Sequence, residues 1–163
     1  YGVLRRLENE IIAGTTVGKI SGLQSQADSF TPSSSSGPLV DQIGEALTEL
    51  DIRGWNPGAI ILHPSDWQSI RSERDNEGAY VSSGWQMPAG PTIWGVPAAT
   101  SPAVSVGRPL VLDPAQVVVL DRQSATVEVG RTGDGFIENV LTLRGELRGG
   151  LAVFSPSAVL RLV

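Results

Sequence analysis

The chain has 163 residues, enough for one domain or for one domain with a projecting lobe. Its 12 lysines and arginines against 17 acidic residues give a net charge of −5, which argues against a protein whose main task is to bind nucleic acid phosphates. The absence of cysteine excludes disulfides, thiolate nucleophiles and cysteine-ligated metals, and the single histidine, His63, leaves one candidate imidazole base. No segment approaches about 18 consecutive apolar residues, so the sequence predicts no transmembrane helix.

Two amphipathic helices are predicted in the first third of the chain. Apolar residues recur at helical spacing in residues 1–13, and the pattern stops at Gly14. The same spacing returns after Pro38, which fits the first turn of a helix, and continues to Leu50. Residues 14–37 between them are rich in glycine and serine without a strong period, which predicts an extended and mobile connection.

The rest of the chain predicts one more helix and then mainly strands. Ala59–Leu62 is a short apolar run typical of a buried strand, and Pro64 then fits the start of a helix that ends near Arg74. From Tyr80 onward, glycine, proline and serine separate short strand patterns. The predicted strands are Thr92–Ala98, Pro109–Asp113, Val117–Asp121, Ala125–Arg131, Val140–Leu147, Leu151–Ser155 and Val159–Val163. This order of elements indicates an α+β fold with late antiparallel strands and no regular βαβ alternation.

His63, Ser65 and Asp66 have the residue types of a hydrolytic triad. Neighbours on one helical turn cannot align as nucleophile, base and orienting group, and no G-x-S-x-G segment is present. The favoured interpretation is a polar residue that caps the helix begun by Pro64, and a small hydrolase that uses His63 is the alternative.

No cofactor or metal site is predicted. In residues 14–20 only three residues separate the two glycines and Ile20 stands where a phosphate-binding loop needs a hydroxyl. Asp134, Glu138 and Glu146 lack the dense oxygen spacing of a calcium loop, so we expect them to be solvated or paired with arginine.

Arginine dominates the positive charge, since Lys19 is the only lysine among the twelve basic residues. Guanidinium groups suit bidentate carboxylate pairing at protein interfaces, where lysine is disfavoured. The residues by themselves therefore indicate an acidic α+β domain, without recognisable catalytic machinery, that contacts protein.

A set of segments in a fixed order then identifies a family resemblance. The segments are Ala59–Trp67, Ile70–Arg71, Asp75–Tyr80, Ile93–Ala98, Val119–Gln123, Gly135–Asn139, Leu141–Arg148 and Phe154–Ala158. In this order and spacing they resemble the major capsid proteins of tailed bacteriophages with the HK97 fold, and the helix before Gly14 fits the same family. No single segment is specific, but the ordered set is.

The resemblance implies a division into domains. Residues 1–37 would be the end of the spine helix and a glycine- and serine-rich connection of the peripheral domain, residues 38–123 the axial domain, and residues 124–163 strands that return to the peripheral domain. The family's N-terminal arm and extended loop precede the spine helix, so the chain is expected to be the C-terminal portion of a capsid subunit.

The resemblance also implies a structural, non-enzymatic function. Such subunits form hexamers and pentamers of an icosahedral shell around double-stranded DNA, which they contact non-specifically. The expected location is the virion capsid of a phage or prophage, after synthesis in the bacterial cytoplasm and without a membrane partner. An encapsulin-like compartment shell has the same fold and is the nearest alternative, and a small monomeric binding module is a further one.

Interface residues are predicted in two places. A glycine-, serine- and proline-rich stretch, residues 80–91, carries Trp85 and Met87 and is expected to be an axial loop that contacts neighbouring subunits. The candidate groups for pairing between subunits are Arg122, Arg131, Arg144 and Arg148.

One branch of the family joins subunits by an isopeptide bond between a lysine and an asparagine, with a glutamate as proton acceptor. Asn139 and Glu146 occupy the matching positions, whereas Lys19 is not the counterpart of the reactive lysine. The favoured interpretation is structural, with hydrogen bonding by Asn139 and ion pairing of Glu146 with Arg144 or Arg148.

Overall fold

The computed structural model describes residues 2–15, 20–33, 36–75, 77–80, 92–131, 133 and 137–163. The helices are α1 (Gly2–Ala13), α2 (Leu23–Gln26), α3 (Leu39–Ile52) and α4 (Pro64–Ser72). The strands are β1 (Asp28–Phe30), β2 (Ala59–Leu62), β3 (Thr92–Ile93), β4 (Val96–Thr100), β5 (Leu110–Leu112), β6 (Val117–Gly130), β7 (Thr142–Val153) and β8 (Val159–Leu162). Turns of 3₁₀ helix at Pro114–Gln116 and Pro156–Ala158 lead into β6 and β8.

Six strands form a mixed sheet in the order β1-β8-β5-β2-β4-β3. The pairs β1/β8 and β2/β4 are parallel, and the other three pairs are antiparallel. The central strands are short and buried on both faces, as the three consecutive buried residues of β5 show. A sheet of this kind needs cover on both sides, because its strands carry apolar side chains above and below.

Helices α3 and α4 cover one face of the sheet. Four residues of α3, Ile43, Ala46, Leu47 and Leu50, are at most 7% exposed. They meet a buried set from the strands on that face, with Trp67 and Ile70 of α4 packed at the margin. The strand residues of this cluster are Ile60, Leu62, Ile93, Ala98, Val111, Leu160 and Leu162.

The opposite face packs against α1, α2 and the segment that follows β4. Ile12 of α1, Leu23 of α2 and Val104 are each at most 5% exposed and join a second cluster with strand residues. Arg161 links β8 to α2 and β1. Its guanidinium donates to the Gln24 carbonyl at 2.9 Å and to the Ser29 hydroxyl at 3.0 Å.

Strands β6 and β7 form a separate antiparallel ribbon. Helix α1 lies along one face of it, where the chain has glycine instead of a side chain. A Cβ atom on Gly145 would lie 2.9 Å from Val3, and one on Gly149 would lie 3.3 Å from Leu7. These glycines let the helix approach the ribbon closely, which is a positional use of glycine in strands.

The helix predictions are confirmed. Helix α1 ends where Gly14 was expected to stop it, and Gly14 N–H donates to the Glu10 carbonyl at 3.0 Å. Helix α3 begins after Pro38, and α4 begins with Pro64 at its first turn, although α4 ends at Ser72, two residues before Arg74. Strand β2 has the predicted bounds.

The prediction of an extended, mobile connection over residues 14–37 is wrong for the part that the structure describes. That part contains α2 and β1, and β1 pairs in parallel with β8 from the opposite end of the chain. Gly22 packs so tightly that a Cβ atom would lie 2.5 Å from the Gly14 nitrogen. The glycines serve close backbone packing here, and this use cannot be distinguished in sequence from flexibility.

Three strand predictions are wrong in their connections. Residues 92–98 contain a turn at Trp94 and Gly95 and therefore form the hairpin β3–β4. The two strands expected over 117–131 are one long strand, because the break falls at irregularities between Asp121 and Thr126. Similarly, Gly149 and Gly150 continue β7 instead of ending it, since they pair with Asp121 and Leu120.

The late strands are also not all antiparallel, because β8 pairs in parallel with β1 and β4 in parallel with β2.

The six-stranded sheet takes strands from all three segments of the expected domain division. Strand β1 comes from residues 1–37, β2 to β5 from residues 38–123, and β8 from residues 124–163. As packing units, the molecule consists of the sheet with α2, α3 and α4 and of the ribbon with α1 along it.

Candidate functional site

The ribbon carries a charged face made of Glu128, Arg144, Glu146 and Arg148. Glu128 and Arg144 are cross-strand partners, and their side chains form an ion pair of 2.8 Å. Glu146 accepts from Arg148 at 2.9 Å and lies 3.5 Å from Arg144. Alternate residues of β7 thus place both signs of charge on one surface, with the two arginine side chains more than half exposed.

The opposite face of the ribbon is apolar in the part that α1 does not cover. Val129 and Leu143 are cross-strand partners and are 62% and 70% exposed, and Val127 beside them is 72% exposed. This apolar face, defined by Val127, Val129 and Leu143, has no cover among the described residues. A contiguous apolar surface with charged neighbours is typical of a protein contact.

The four predicted interface arginines all lie on or beside the ribbon. Arg122 and Arg131 are exposed on β6 and directly after it, while Arg144 and Arg148 belong to the charged face. The structure therefore distributes these four residues along the ribbon, with Arg122 near Arg148 and Arg131 at the far end. Trp85 and Met87 lie outside the described residues.

Asn139 and Glu146 are separated along the ribbon. Asn139 is exposed in the turn before β7, with φ of 54°, a conformation that asparagine adopts more readily than most residues. Glu146 lies four residues into β7, paired with the cross-strand neighbour Thr126. The ion pairs of Glu146 with Arg148 and Arg144 agree with the structural interpretation of this residue.

His63 caps α4 instead of meeting a nucleophile. Its Nδ1 accepts a hydrogen bond of 3.1 Å from the backbone N–H of Ser65. Asp66 is 5% exposed, and its carboxylate accepts from the backbone N–H of Gly107 at 2.9 Å. His63 thus has the capping function expected of a polar residue at a helix N-terminus, whereas Asp66 satisfies a backbone group of a distant turn.

A groove of about 980 Å³ runs beside α3, and we call it the Trp94 groove. Trp94 is 64% exposed, and its indole N–H donates to the Val40 carbonyl at 3.0 Å. The backbone of Trp94 has φ of 52°, an unusual conformation for a large aromatic residue. The groove also contains the carboxylates of Asp41, Glu45, Glu49 and Asp51.

One of these carboxylates is compensated by a neighbouring arginine. Arg53 pairs with Glu49 at 2.8 Å and with Asp28 at 3.1 Å. The hydrogen bond to Glu49 raises the pKa of the Arg53 guanidinium against the opposing effect of desolvation, and Asp28 adds to the rise. Glu45 accepts from the backbone N–H of Ser33 at 2.6 Å, and the carboxylates of Asp41 and Asp51 add negative charge to the groove.

Sequence reasoning missed this groove because it depends on the β3–β4 hairpin. A Trp-Gly pair is a weak signal for a two-residue hairpin turn, compared with Asn-Gly or Asp-Gly. The glycine at position 95, with φ of 79°, was the one available signal.

A second, apolar groove of about 530 Å³ lies between α1, the sheet and the base of the ribbon. Leu4 and Leu7 of α1 line one wall, and Val119 and Leu151 of the ribbon line another. At its side, Glu8 accepts a hydrogen bond from the buried hydroxyl of Ser101, which ties α1 to the end of β4.

The described residues contain neither a cluster of metal-binding side chains nor a membrane-spanning helix. In that part of the chain, no group of three or more His, Asp or Glu side chains is arranged to hold a metal ion. No helix there is both long enough and apolar enough to cross a lipid bilayer.

Comparison with known sequences gives one family and a related protein. The sequence model of the Phage capsid family matches residues 1–163. The chain is 32% identical over 167 residues to the major capsid protein of Enterobacteria phage HK97, and the match covers 99% of this chain and 43% of that protein. The chain thus spans less than half the length of this relative.

Comparison with solved structures gives the same fold. A structure from Mycobacterium phage Ogopogo superposes with a TM-score of 0.75 at 17% identity, covering 97% of this chain and 62% of that one. The capsid of an empty GTA particle superposes with a TM-score of 0.75 at 12% identity, covering 99% of this chain and 62% of that one. At these identities the likeness shows the fold, which is the α+β capsid fold that the sequence predicted.

Proposed function

Since this chain belongs to the phage capsid family, we propose that it is part of a structural subunit that self-assembles into the icosahedral shell of a phage or prophage head. Hexamers and pentamers of the subunit form the shell, which encloses double-stranded DNA. The matched relative is a major capsid protein, and the superposed structures include a capsid. These relatives favour the phage shell over an encapsulin-like compartment.

The observation that carries the proposal is the exposure of the ribbon. A two-stranded ribbon is marginally stable alone in water, and α1 covers only part of one face. The apolar face holds three large aliphatic side chains that are each at least 62% exposed. Burial of these side chains against neighbouring subunits would stabilise both the ribbon and the assembly.

The two packing units support a revised division of the subunit. The sheet with α3 and α4 would form the axial domain, and the ribbon with α1 would form the peripheral domain, with α1 as the end of the spine helix. This assignment moves β1 and β8 into the axial domain, because both pair within the sheet.

The proposed interface arginines are Arg122, Arg131, Arg144 and Arg148. The ion pairs that Arg144 and Arg148 make within the ribbon hold their guanidinium groups in place, while leaving both more than half exposed. A guanidinium has five N–H donors, so a carboxylate of a neighbouring subunit would find free donors on both arginines. Asn139 and Glu146 are assigned structural functions.

The protein would act without catalysis or cofactor, in the virion after synthesis in the bacterial cytoplasm. The net charge of −5 fits weak, non-specific contact with DNA rather than tight binding of phosphates. Each contact between subunits can be weak and the shell still stable, because closed symmetry repeats every contact many times.

Electron microscopy of the protein expressed from its complete gene tests the proposal. We expect closed shells whose reconstruction places the six-stranded sheet near the fivefold and sixfold axes and the ribbon towards the periphery. A protein that stays monomeric at high concentration and binds a small ligand would contradict the proposal and favour the small binding module. Ester or phosphate hydrolysis that His63→Ala abolishes would favour the hydrolase.

A further inference from the structure

The Trp94 groove combines an exposed aromatic residue with carboxylates. The exposed ring of Trp94 lies beside α3, whose Asp41 and Asp51 are exposed in the same groove. Neither carboxylate makes a hydrogen bond or ion pair with another described residue. An indole face flanked by carboxylates favours a guanidinium, which stacks on the ring and pairs with the acids.

The chain has a matching arginine on a protruding turn, the Val106–Arg108 tip. Val104 anchors the base of this turn at 2% exposure, while Val106 is 62% exposed. The turn is held in shape because Gly107 N–H donates to the buried Asp66 and Arg108 N–H donates to the Ser105 carbonyl at 3.1 Å. Arg108 is exposed, and its side chain makes no hydrogen bond or ion pair with any described residue.

The groove and the tip lie at opposite ends of the same strand. Trp94 comes two residues before Val96, the first residue of β4, whereas the tip follows Thr100, the last residue of that strand. Five residues of strand span about 13 Å from first to last Cα at about 3.3 Å per residue. Arg108 therefore cannot reach the groove of its own subunit.

On the basis of the proposed shell function, we propose that the Val106–Arg108 tip of one subunit docks into the Trp94 groove of the next. Arg108 stacks on Trp94 and pairs with Asp41, and Val106 adds apolar contact at the margin. The contact is head-to-tail, because the two surfaces differ and face opposite ends of β4. Repetition of such a contact by rotation closes a ring, which is the arrangement that hexamers and pentamers require.

Disulfide capture between subunits tests this contact, since the chain contains no cysteine. Thr48 is exposed in the groove, and Val106 is exposed at the tip, so Thr48→Cys with Val106→Cys leaves Asp41, Trp94 and Arg108 in place. A disulfide needs Cα atoms within about 7 Å, and the separation along β4 prevents bond formation within one subunit. The matched control is Val106→Cys with Asn9→Cys, because Asn9 is exposed on α1 away from the groove.

Mild oxidation of the concentrated double variant should give a ladder of covalent dimers, trimers and larger species on a non-reducing gel. We expect at least about tenfold more trimer and larger species than the control gives, and about a tenfold loss on adding Arg108→Glu, the change in affinity expected for one such contact. A yield equal to the control, or no effect of Arg108→Glu, would overturn the inference.

The outcome is separable from that of the proposed function. Normal shells from the complete protein carrying Arg108→Glu would overturn the docking inference and leave the shell function intact. No particles from the unaltered protein would count against the shell function itself.

Discussion

The six-stranded sheet and the two-stranded ribbon differ in how far their apolar side chains are covered. The sheet covers its apolar side chains with helices of the same subunit, so that Leu110 and Leu160 are fully buried. The ribbon exposes side chains of the same type, with Leu143 at 70% and Val127 at 72% exposure. The comparison indicates that the sheet stabilises the chain by itself, whereas the proposed shell function would cover the ribbon with neighbouring subunits.

The largest expected effect is on the free energy of unfolding, and it should differ between the sheet and the ribbon. Leu160→Ala in the sheet should lower the free energy of unfolding by about 2–5 kcal/mol, because it removes buried methyl groups and leaves a cavity. Leu143→Ala on the ribbon is the matched control and should change it by less than about 0.5 kcal/mol. Urea denaturation of the purified chain measures both, and similar values for the two variants would contradict the comparison.

A second prediction concerns the buried carboxylate under the Val106–Arg108 tip. Asp66→Ala should cost about 1–3 kcal/mol of stability, since the Gly107 N–H loses its partner in a buried position. Asp66→Asn keeps an acceptor oxygen and should cost less. Thermal unfolding followed by circular dichroism ranks the two variants, and an equal loss in both would show that charge, rather than the hydrogen bond, matters at this site.

A smaller effect is expected where α1 touches the ribbon. Gly145→Ala should weaken this contact by about 1 kcal/mol, because the added Cβ would lie 2.9 Å from Val3 and the helix start must shift. Gly130→Ala is the control in the same ribbon, since nothing lies within 4 Å of its Cβ position. Hydrogen exchange of the α1 amides should increase in the first variant only, and unchanged exchange in both would argue against a close contact.

The smallest effect on folding should accompany a large effect on assembly. Arg144→Glu removes exposed ion pairs and should change the stability of the chain by less than about 1 kcal/mol. In the complete protein it should block shell formation, because it reverses a charge on the proposed interface. Arg5→Glu makes the same charge change on α1 and should assemble normally. Normal particles from Arg144→Glu would remove this residue from the interface.

Local signals predicted α1, α3, α4 and β2, but not α2, because the causes of these four elements lie within a few residues. The apolar spacing and Pro38 define α3, and Pro64 after a short apolar run defines the β2–α4 junction. The sequence also predicted that Glu146 pairs with Arg144 or Arg148, whereas the pair of Arg144 with Glu128 needed the register of β6 and β7.

Other features depend on residues far apart in the chain. Strand β1 exists because Asp28–Phe30 meets Leu160–Leu162, a pairing that no local pattern encodes. Gly149 resembles a turn residue in sequence, but it continues β7 where Leu7 of α1 comes close. The Trp94 groove likewise forms only when a hairpin brings an aromatic ring against α3.

Composition and periodicity depend on residue identity alone, so the α+β class, the helices α1, α3 and α4 and the lack of cysteine in these 163 residues could be read before folding. The resemblance to the capsid family came from the ordered set of segments. The tertiary structure decided which strands join the sheet, which glycines serve close packing and which apolar side chains stay exposed. These properties depend on contacts between distant segments, and the free energy of each contact exists only after the chain has brought both segments together.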